Sequence, residues 1–368
     1  MGESKSVRIG KTRRRIDEID DQLLDLLEER MDLSRQIGED KKRRGLPLYV
    51  PEREGAILER LAGRDAERGG GQMGRAAVIG VWREIFSASR QTQSPIKVAY
   101  LGPNGTFTHQ AALTRFGSSA GMIASQTIAS AFALIQNGTV DFAVLPVENT
   151  LHGIVGETVD LLGTAGQPLI ADEIVMPIHF VFSSGLDDLG RIERVYSKPE
   201  AFLQCANFLN QPALEKAERI ASPSTAEAAR QAAADPAGAS LSPEIAANLA
   251  GIPIRFRHVE NNADNKTRFF VLGHVRPDRT GDDKTSVFAK VQNVAGGLEA
   301  LLRSFSDRRI NLTKIESRPM DESVNFETWF YIDLDGHAED AGIRDIIASH
   351  GLVWLGSYPR PRRPEGGR

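Results

Sequence analysis

Apolar side chains between residues 8 and 44 fall at Ile16, Ile19, Leu23, Leu26, Leu33 and Ile37, three or four positions apart except for one missing step at residue 30. That spacing is the period of a long helix with a packing seam, and it predicts a helix of about 30 residues. Gly45-Leu46-Pro47 breaks the pattern. A second, shorter helix is expected over residues 51–61 and a third over 76–91, with the glycine run Gly69-Gly70-Gly71 as a loop between them. From Ile96 the pattern changes. Ile96 to Leu101 is a β-branched, apolar run of the kind found in buried parallel strands. Strand-like and helix-like stretches then alternate as far as KTRFFVLG, which predicts an α/β domain in two lobes.

The polar stretch VRPDRTGDDK forms a second seam. After it come SVFAKVQN, a helix near residues 298–308, INLTKIESRP, WFYIDLDG, a last helix and GLVWLGSYPR. Strand, helix, strand, strand, helix, strand is the ferredoxin-like order. The expectation is a multidomain chain with an all-α segment over 8–93, an α/β segment over 96–275 and an α+β segment over 284–360, followed by a disordered PRPRRPEGGR tail.

Length agrees with several domains, since 368 residues exceed one ordinary core. With 41% hydrophobic and 26% charged residues the composition is that of a soluble globular protein, and no apolar run approaches the roughly 18 residues of a bilayer crossing. The first residues lack a secretory signal, and the single Cys205 cannot close an intrachain disulfide, so a reducing cytoplasm is expected. A formal charge of −4 gives no global attraction for nucleic acid or an acidic membrane surface. An anionic ligand must therefore be met locally. No metal-ligand spacing stands out and no cofactor is called for.

Arg30 is the misfit in the first helix, a cation where the seam demands an apolar residue. Burying it unpaired is costly, so either a ligand anion, a neighbouring Glu or local fraying must relieve it. Lys41, eleven residues on, returns to within about 20° of Arg30 on the helix. Arg13 points about 100° away and would serve the same pocket more readily from a partner chain, which suggests a homodimer. Arg53 and Glu54 open the second helix, and Ser89 and Gln93 share a face of the third.

The ordered set RRRIDEIDDQLLDLLEERMDLSRQIGEDK, PLYVPERE and EIFSASRQTQ resembles the all-helical class of chorismate mutase over residues 8–93. The resemblance implies an intertwined dimer in which Arg30 and a partner-chain Arg13 hold the carboxylates of chorismate. Lys41 and Gln93 then meet the ether oxygen, Glu54 the ring hydroxyl, and Arg53 and Ser89 complete the pocket. Such donors suit a concerted rearrangement that builds negative charge on the departing oxygen and needs neither nucleophile nor cofactor. The chain departs from the pattern at Val50, where the family has Asp, and in the glycine-rich loop.

In the central segment GPNGTFTHQA lies between a strand and a helix, where its turn and Thr106 could cradle an anion or simply connect the two. Glu148-Asn149-Thr150 is a dense polar cluster after an apolar strand, either a ligand site or a helix cap. GPNGTFTHQA, PVENTLHGIV, YSKPEAFLQC, STAEAA and NKTRFFVLG occur in an order that resembles prephenate dehydratase across residues 96–273. This implies a two-lobed fold with prephenate in the cleft, Thr267 as proton donor to the departing hydroxyl, and Thr106, Glu148, Asn149, Ser197, Gln204, Thr225 and Arg268 as binding residues. Lys198 and Glu200 replace the family's His and Gln, with Lys198 either near the dicarboxylate or facing water.

Residues 284–360 resemble an ACT regulatory domain, which implies phenylalanine as effector, held by Gly296, Gly297 and Leu298 on one stretch and Glu316, Ser317, Arg318 and Pro319 on another. Ala295 stands where the family has Pro, and Phe326 where it often has Trp. Together the resemblances imply a bifunctional enzyme, chorismate to prephenate to phenylpyruvate, under phenylalanine feedback. The alternatives are a dehydratase with a silent helical dimerisation domain, or a non-catalytic binding protein of two lobes.

Overall fold

The computed structural model describes residues 5–46, 49–67, 73–163, 168–292, 294–319 and 328–361, with the side chains of 5–8 and 319 left aside. The expectations placed on Pro47, on Gly69-Gly70-Gly71, on Phe326 and on most of the tail fall outside these residues. The chain divides into two compact units, one of residues 1–96 with 116–121, the other of 97–115 with 122–368.

The first unit is built on α1 (Lys5–Arg44), α2 (Pro51–Glu67) and α3 (Arg75–Gln93). All three outrun the predicted helices, α1 by about a third, because polar residues without a helix breaker extend a helix as readily as apolar ones. Helix α1 ends at Gly45, whose φ of 65° is the left-handed conformation that closes helices, and its last turn carries Lys41, Lys42, Arg43 and Arg44 against the helix dipole. Pro51 starts α2, where its missing N–H costs nothing. The seam of α1 is bare: Ile16, Leu23, Leu26, Leu33 and Ile37 are each more than half exposed.

In the second unit the chain runs β1 (Lys97–Leu101), α4 (Phe107–Phe116), β2 (Gly121–Ser125), α5 (Ile128–Gln136), β3 (Phe142–Asn149), β4 (Gly153–Ile154), α6 (Gly156–Leu162) and β5 (Leu169–Pro177). It then crosses to β6 (Val181–Ser184), β7 (Arg194–Ser197), α7 (Pro199–Gln204), α8 (Ala206–Leu209), β8 (Glu218–Ala221), α9 (Thr225–Ala234), β9 (Gly238–Ser242), α10 (Glu244–Ala250) and β10 (Ile254–Arg257), and returns in β11 (Lys266–Gly273). Strands β2-β1-β3-β11-β5 form one mixed sheet, with β4 on β3, and β10-β6-β9-β7-β8 form another. The chain passes between the sheets twice, at 178–180 and 258–265, and these crossings make the two lobes. Alternation explains the helices: α5 opens on a reciprocal Thr127–Ser130 capping box, and α9 on Ser224, whose Oγ accepts the Glu227 N–H.

The rest is β12 (Asp283–Lys290), α11 (Gly297–Asp307), β13 (Leu312–Pro319), β14 (Thr328–Asp335), α12 (Ala341–Ser349) and β15 (Val353–Pro359), an antiparallel sheet of order β13-β14-β12-β15. Its helices cover one face, where Leu301 and Phe305 of α11 pack with Val287, Ala289 and Ile332 of the sheet. The other face shares a core with the first lobe, where Phe288, Tyr331, Leu355 and Tyr358 pack with Ile170, Phe270 and Leu272. At this contact Gly356 lies against the backbone of Ile170: a Cβ there would stand 2.3 Å from the Ile170 carbonyl oxygen, at a φ of 152°. Gly356→Ala is expected to cost roughly 2 kcal/mol or more through this overlap, read as a lower thermal midpoint of the full chain. An unchanged midpoint would mean that β15 and β5 part freely.

Candidate active site

In the first unit the misfit cation is satisfied by α3. Arg30 Nη1 donates to Ser89 Oγ, and the guanidinium carbon lies 5.4 Å from the centre of the Phe86 ring. Ser89 itself is 5% exposed and donates to the Ile85 carbonyl at 2.7 Å. Gln93 sits beside Gly38, where a Cβ would lie 2.8 Å from its Cβ and Cγ, so a glycine lets α1 and α3 approach here. Burial lowers the pKa of both Arg30 and Lys41, and Glu54 opposes it in each case. Arg30, Lys41, Glu54, Ser89 and Gln93 thus converge, a partly desolvated cationic pocket with one acid.

Two predicted members stand apart. Arg53 is exposed on α2, and Arg13 is exposed seventeen residues before Arg30, a rise of roughly 26 Å along one helix. The sequence reading missed Arg90, which is 6% exposed, pairs with Glu54 and donates to the Phe116 carbonyl at 2.6 Å. Its only sequence signal was a cation on the apolar side of α3.

In the second unit β3 and β11 run antiparallel with Asn149 opposite Thr267 and Glu148 opposite Arg268. Asn149 Nδ2 donates to Thr267 Oγ1 at 2.9 Å and to Asn265 Oδ1 at 2.9 Å, while its own Oδ1 accepts the Leu151 N–H at 2.9 Å and the His152 N–H at 3.2 Å. Asn265, 1% exposed, donates from Nδ2 to Gln204 Oε1 at 3.2 Å, and Gln204 Nε2 lies 2.8 Å from His152 Nε2. Thr267 therefore sits at the end of a chain of neutral amides that leads, through Asn265 and Gln204, to a cavity also lined by Leu151, Leu203, Asn261 and the acid Glu260. Asn265 and His152 were missed, although both lie inside the motifs quoted above.

Thr106 and Thr225 head α4 and α9. Gly105, with φ of 95°, has Ala226 and Ala246 of the second lobe within 3.3 Å of where a Cβ would be, so the turn before Thr106 abuts the start of α9. The turn is anchored by its own N–H, which donates to His109 Nδ1 at 3.0 Å; burial lowers the His109 pKa and keeps that acceptor neutral.

Other expected site residues lie elsewhere. The pleat that turns Asn149 and Thr267 to the site turns Glu148 and Arg268 to the opposite face, where Arg268 pairs with Glu173 and Asp333 at 2.5 Å each and Glu148 with Lys314 at 2.7 Å. Ser197 is fully buried in the second lobe, its hydroxyl donated to the Leu241 carbonyl at 2.7 Å. Arg318 of β13 forks onto Asp160 at 2.7 and 2.5 Å over Gly156, with Glu316 on the same side of the strand and Ser317 on the other. Lys198 is half exposed, 3.7 Å from Glu200. Gly296, with φ of 84°, precedes α11, and Gly297 helps line a cavity with Lys290, Val291, Gln292, Leu301 and His350, while Leu298 is half-buried nearby.

His179, His258 and Glu260 also converge, at the two crossings, with ligand atoms within 4.8 Å of one another. Glu260 already accepts from Phe180 N–H at 2.9 Å and lies 2.6 Å from His179 Nδ1. That is a hydrogen bond, closer than two ligands on one tetrahedral ion would stand.

Residues 12–94 match the family model described as chorismate mutase type II, and residues 98–277 the one described as prephenate dehydratase. A bifunctional chorismate mutase/prephenate dehydratase of Aquifex aeolicus is 38% identical over 95% of this chain and 97% of its own. The chain belongs to that family. It is accordingly an enzyme with a mutase and a dehydratase part. Another bifunctional relative, from Neisseria gonorrhoeae, is 36% identical over 94% of this chain and 96% of its own. The solved prephenate dehydratase of Arthrobacter aurescens in complex with L-Phe covers 72% of this chain and 90% of its own, with 32% identity and a TM-score of 0.66. In this enzyme Gly38→Ala is expected to push Gln93 out of place and lower the mutase rate by at least about tenfold, with the dehydratase rate unchanged; equal rates for wild type and variant would remove Gln93 from the mutase site.

Proposed function

We propose that the first unit rearranges chorismate to prephenate and that the second removes carbon dioxide and water from prephenate to give phenylpyruvate. The observation that carries the second half is the Asn149–Thr267 hydrogen bond among neutral amides at a cavity. As the ring carboxylate leaves, its bonding electrons enter the ring and the ring hydroxyl departs. Thr267 Oγ1 hands that hydroxyl a proton, and the amides of Asn149, Asn265 and Gln204 order the hydroxyl that does so. Thr106 and Thr225, from opposite lobes, meet the carboxylates with hydroxyls and helix N-terminal amides.

In the mutase pocket Arg30 grips a carboxylate, while Lys41 and Gln93 donate to the ether oxygen as its bond breaks. Glu54, steadied by Arg90, takes the ring hydroxyl. Arg13 comes from a second copy: it stands too far along α1 to reach the Arg30 pocket of its own chain, and the bare apolar seam of α1 supports burial against another α1. Ser89 completes the pocket. The working form is thus a homodimer, at home in the cytoplasm, where buried Cys205 stays reduced.

The β12–β15 module we read as an ACT domain that takes phenylalanine. The left-handed turn at Gly296 and the cavity under Gly297 support one half of its pocket. Ser317 and Pro319 lie on an edge strand that would supply the other half from a second copy, whereas Glu316 and Arg318 serve from the dehydratase side.

Thr267→Ala is expected to lower phenylpyruvate formation by roughly a hundredfold or more while sparing chorismate loss. Lys41→Ala should do the reverse, by roughly a hundredfold. Separate assays with chorismate and prephenate check both, and full dehydratase activity in the Thr267 variant would sink the reading. Leu26→Asp should halve the sedimenting mass and take mutase activity with it; a monomeric wild type would exclude a shared Arg13.

A further inference from the structure

Behind the dehydratase strands lies a closed set of charges. Three neighbouring strands of the first lobe contribute one each: Glu148 on β3, Arg268 on β11 and Glu173 on β5. Three strands of the C-terminal module answer with Lys314 on β13, Asp333 on β14 and Lys284 on β12. Three cations thus meet three anions. Arg268 is the hub, its side chain 10% exposed, with Nε on Glu173, Nη1 on Asp333, Nη2 on the Tyr358 hydroxyl at 2.9 Å, and its guanidinium carbon 4.7 Å from the Phe270 ring centre. Lys284 Nζ reaches both oxygens of Glu173 at 3.0 Å. Asp333 is fixed in turn by Ser286 and Tyr331, each donating at 2.5 Å.

Buried ion pairs of this kind add little net stability, because desolvation offsets attraction, but they penalise any other arrangement heavily. They therefore specify position. What they position is next to Thr267. Each arm of the network is one residue from a site residue along the chain, Arg268 from Thr267 and Glu148 from Asn149. The register of β11 on β3 shifts between Arg268 and Phe269, with Val147 left over on β3, and a bulge is the place where a strand pair most easily slips or re-aims a side chain.

We propose that Arg268 and Glu148 are positioning residues through which the C-terminal module sets the bulged β3–β11 register, and with it the Asn149–Thr267 hydrogen bond. Substrate contacts neither of them. Any ligand that moves β13 or β14 thereby moves Lys314 or Asp333 and changes the rate of proton delivery more than prephenate affinity. This rests on the reading of Thr267 as the proton donor.

The test uses the full chain, with both activities measured on each variant. Asp333→Asn and Lys314→Met are each expected to lower dehydratase kcat by about tenfold with KM for prephenate within about twofold, and to leave mutase kcat/KM unchanged. Lys314→Arg should restore the rate lost in Lys314→Met. Since Asp333→Asn leaves Arg268 buried with less compensation and could unfold the second unit, the partly exposed Lys314 pair decides if it does. Dehydratase kcat within about twofold of wild type in Lys314→Met, or a loss confined to KM, overturns the proposal. Thr267→Val separates the two readings: full activity there removes Thr267 as donor, whereas an inactive Thr267→Val beside an unaffected Lys314→Met removes the network alone.

Discussion

The pairing of β3 with β11 is the constraint on which the second unit depends. A pleated strand sends neighbouring side chains to opposite faces, so one register decides two surfaces at once. Asn149 opposite Thr267 makes the site, and Glu148 opposite Arg268 makes the seat of the C-terminal module. Neither could move by one residue without the other, since a single-residue slip exchanges the faces.

The two sites use opposite electrostatics, each fitted to its chemistry. In the mutase pocket the rearrangement builds charge on an oxygen without releasing a proton, and the helices bring partly buried Arg30 and Lys41, offset by Glu54. Around Thr267 the hydrogen-bonded partners are neutral amides, with Glu148 and Arg268 turned away and Glu260 on the wall of the adjoining cavity. In the proposed reading of Thr267 as proton donor, its hydroxyl gains from fixed dipoles that do not themselves titrate.

Much of this was legible in the sequence because it rests on periodicity and breakers. The α1 seam, the missing step at Arg30 and the change of period after Ile96 follow from spacing alone. What was not legible is the phase of a strand covered on both faces. In KTRFFVLG every residue from Phe269 to Gly273 is buried, so the hydrophobic pattern does not tell which face carries the site; the pleat puts Thr267 and Arg268 on opposite faces without saying which is which. Ser197 has the look of a ligand residue, yet its hydroxyl satisfies a carbonyl of the neighbouring strand β9, a need visible only once the strands are paired. Arg90 and Asn265 escaped because a buried polar side chain between helices or crossings has no sequence period of its own.

The close approach of Gly356 to Ile170 has a consequence for how separable the parts are. At Gly356 strand β15 lies directly against the backbone of β5, and Phe288, Tyr331 and Tyr358 sit in one apolar mass with Phe270 and Leu272. Cutting the chain after residue 282 would unroof that mass and strand Glu173 and Arg268 in contact with water they are not shaped to meet. The role of the C-terminal module is therefore better probed by point changes at its outer rim than by truncation, because the module doubles as the back wall of the first lobe.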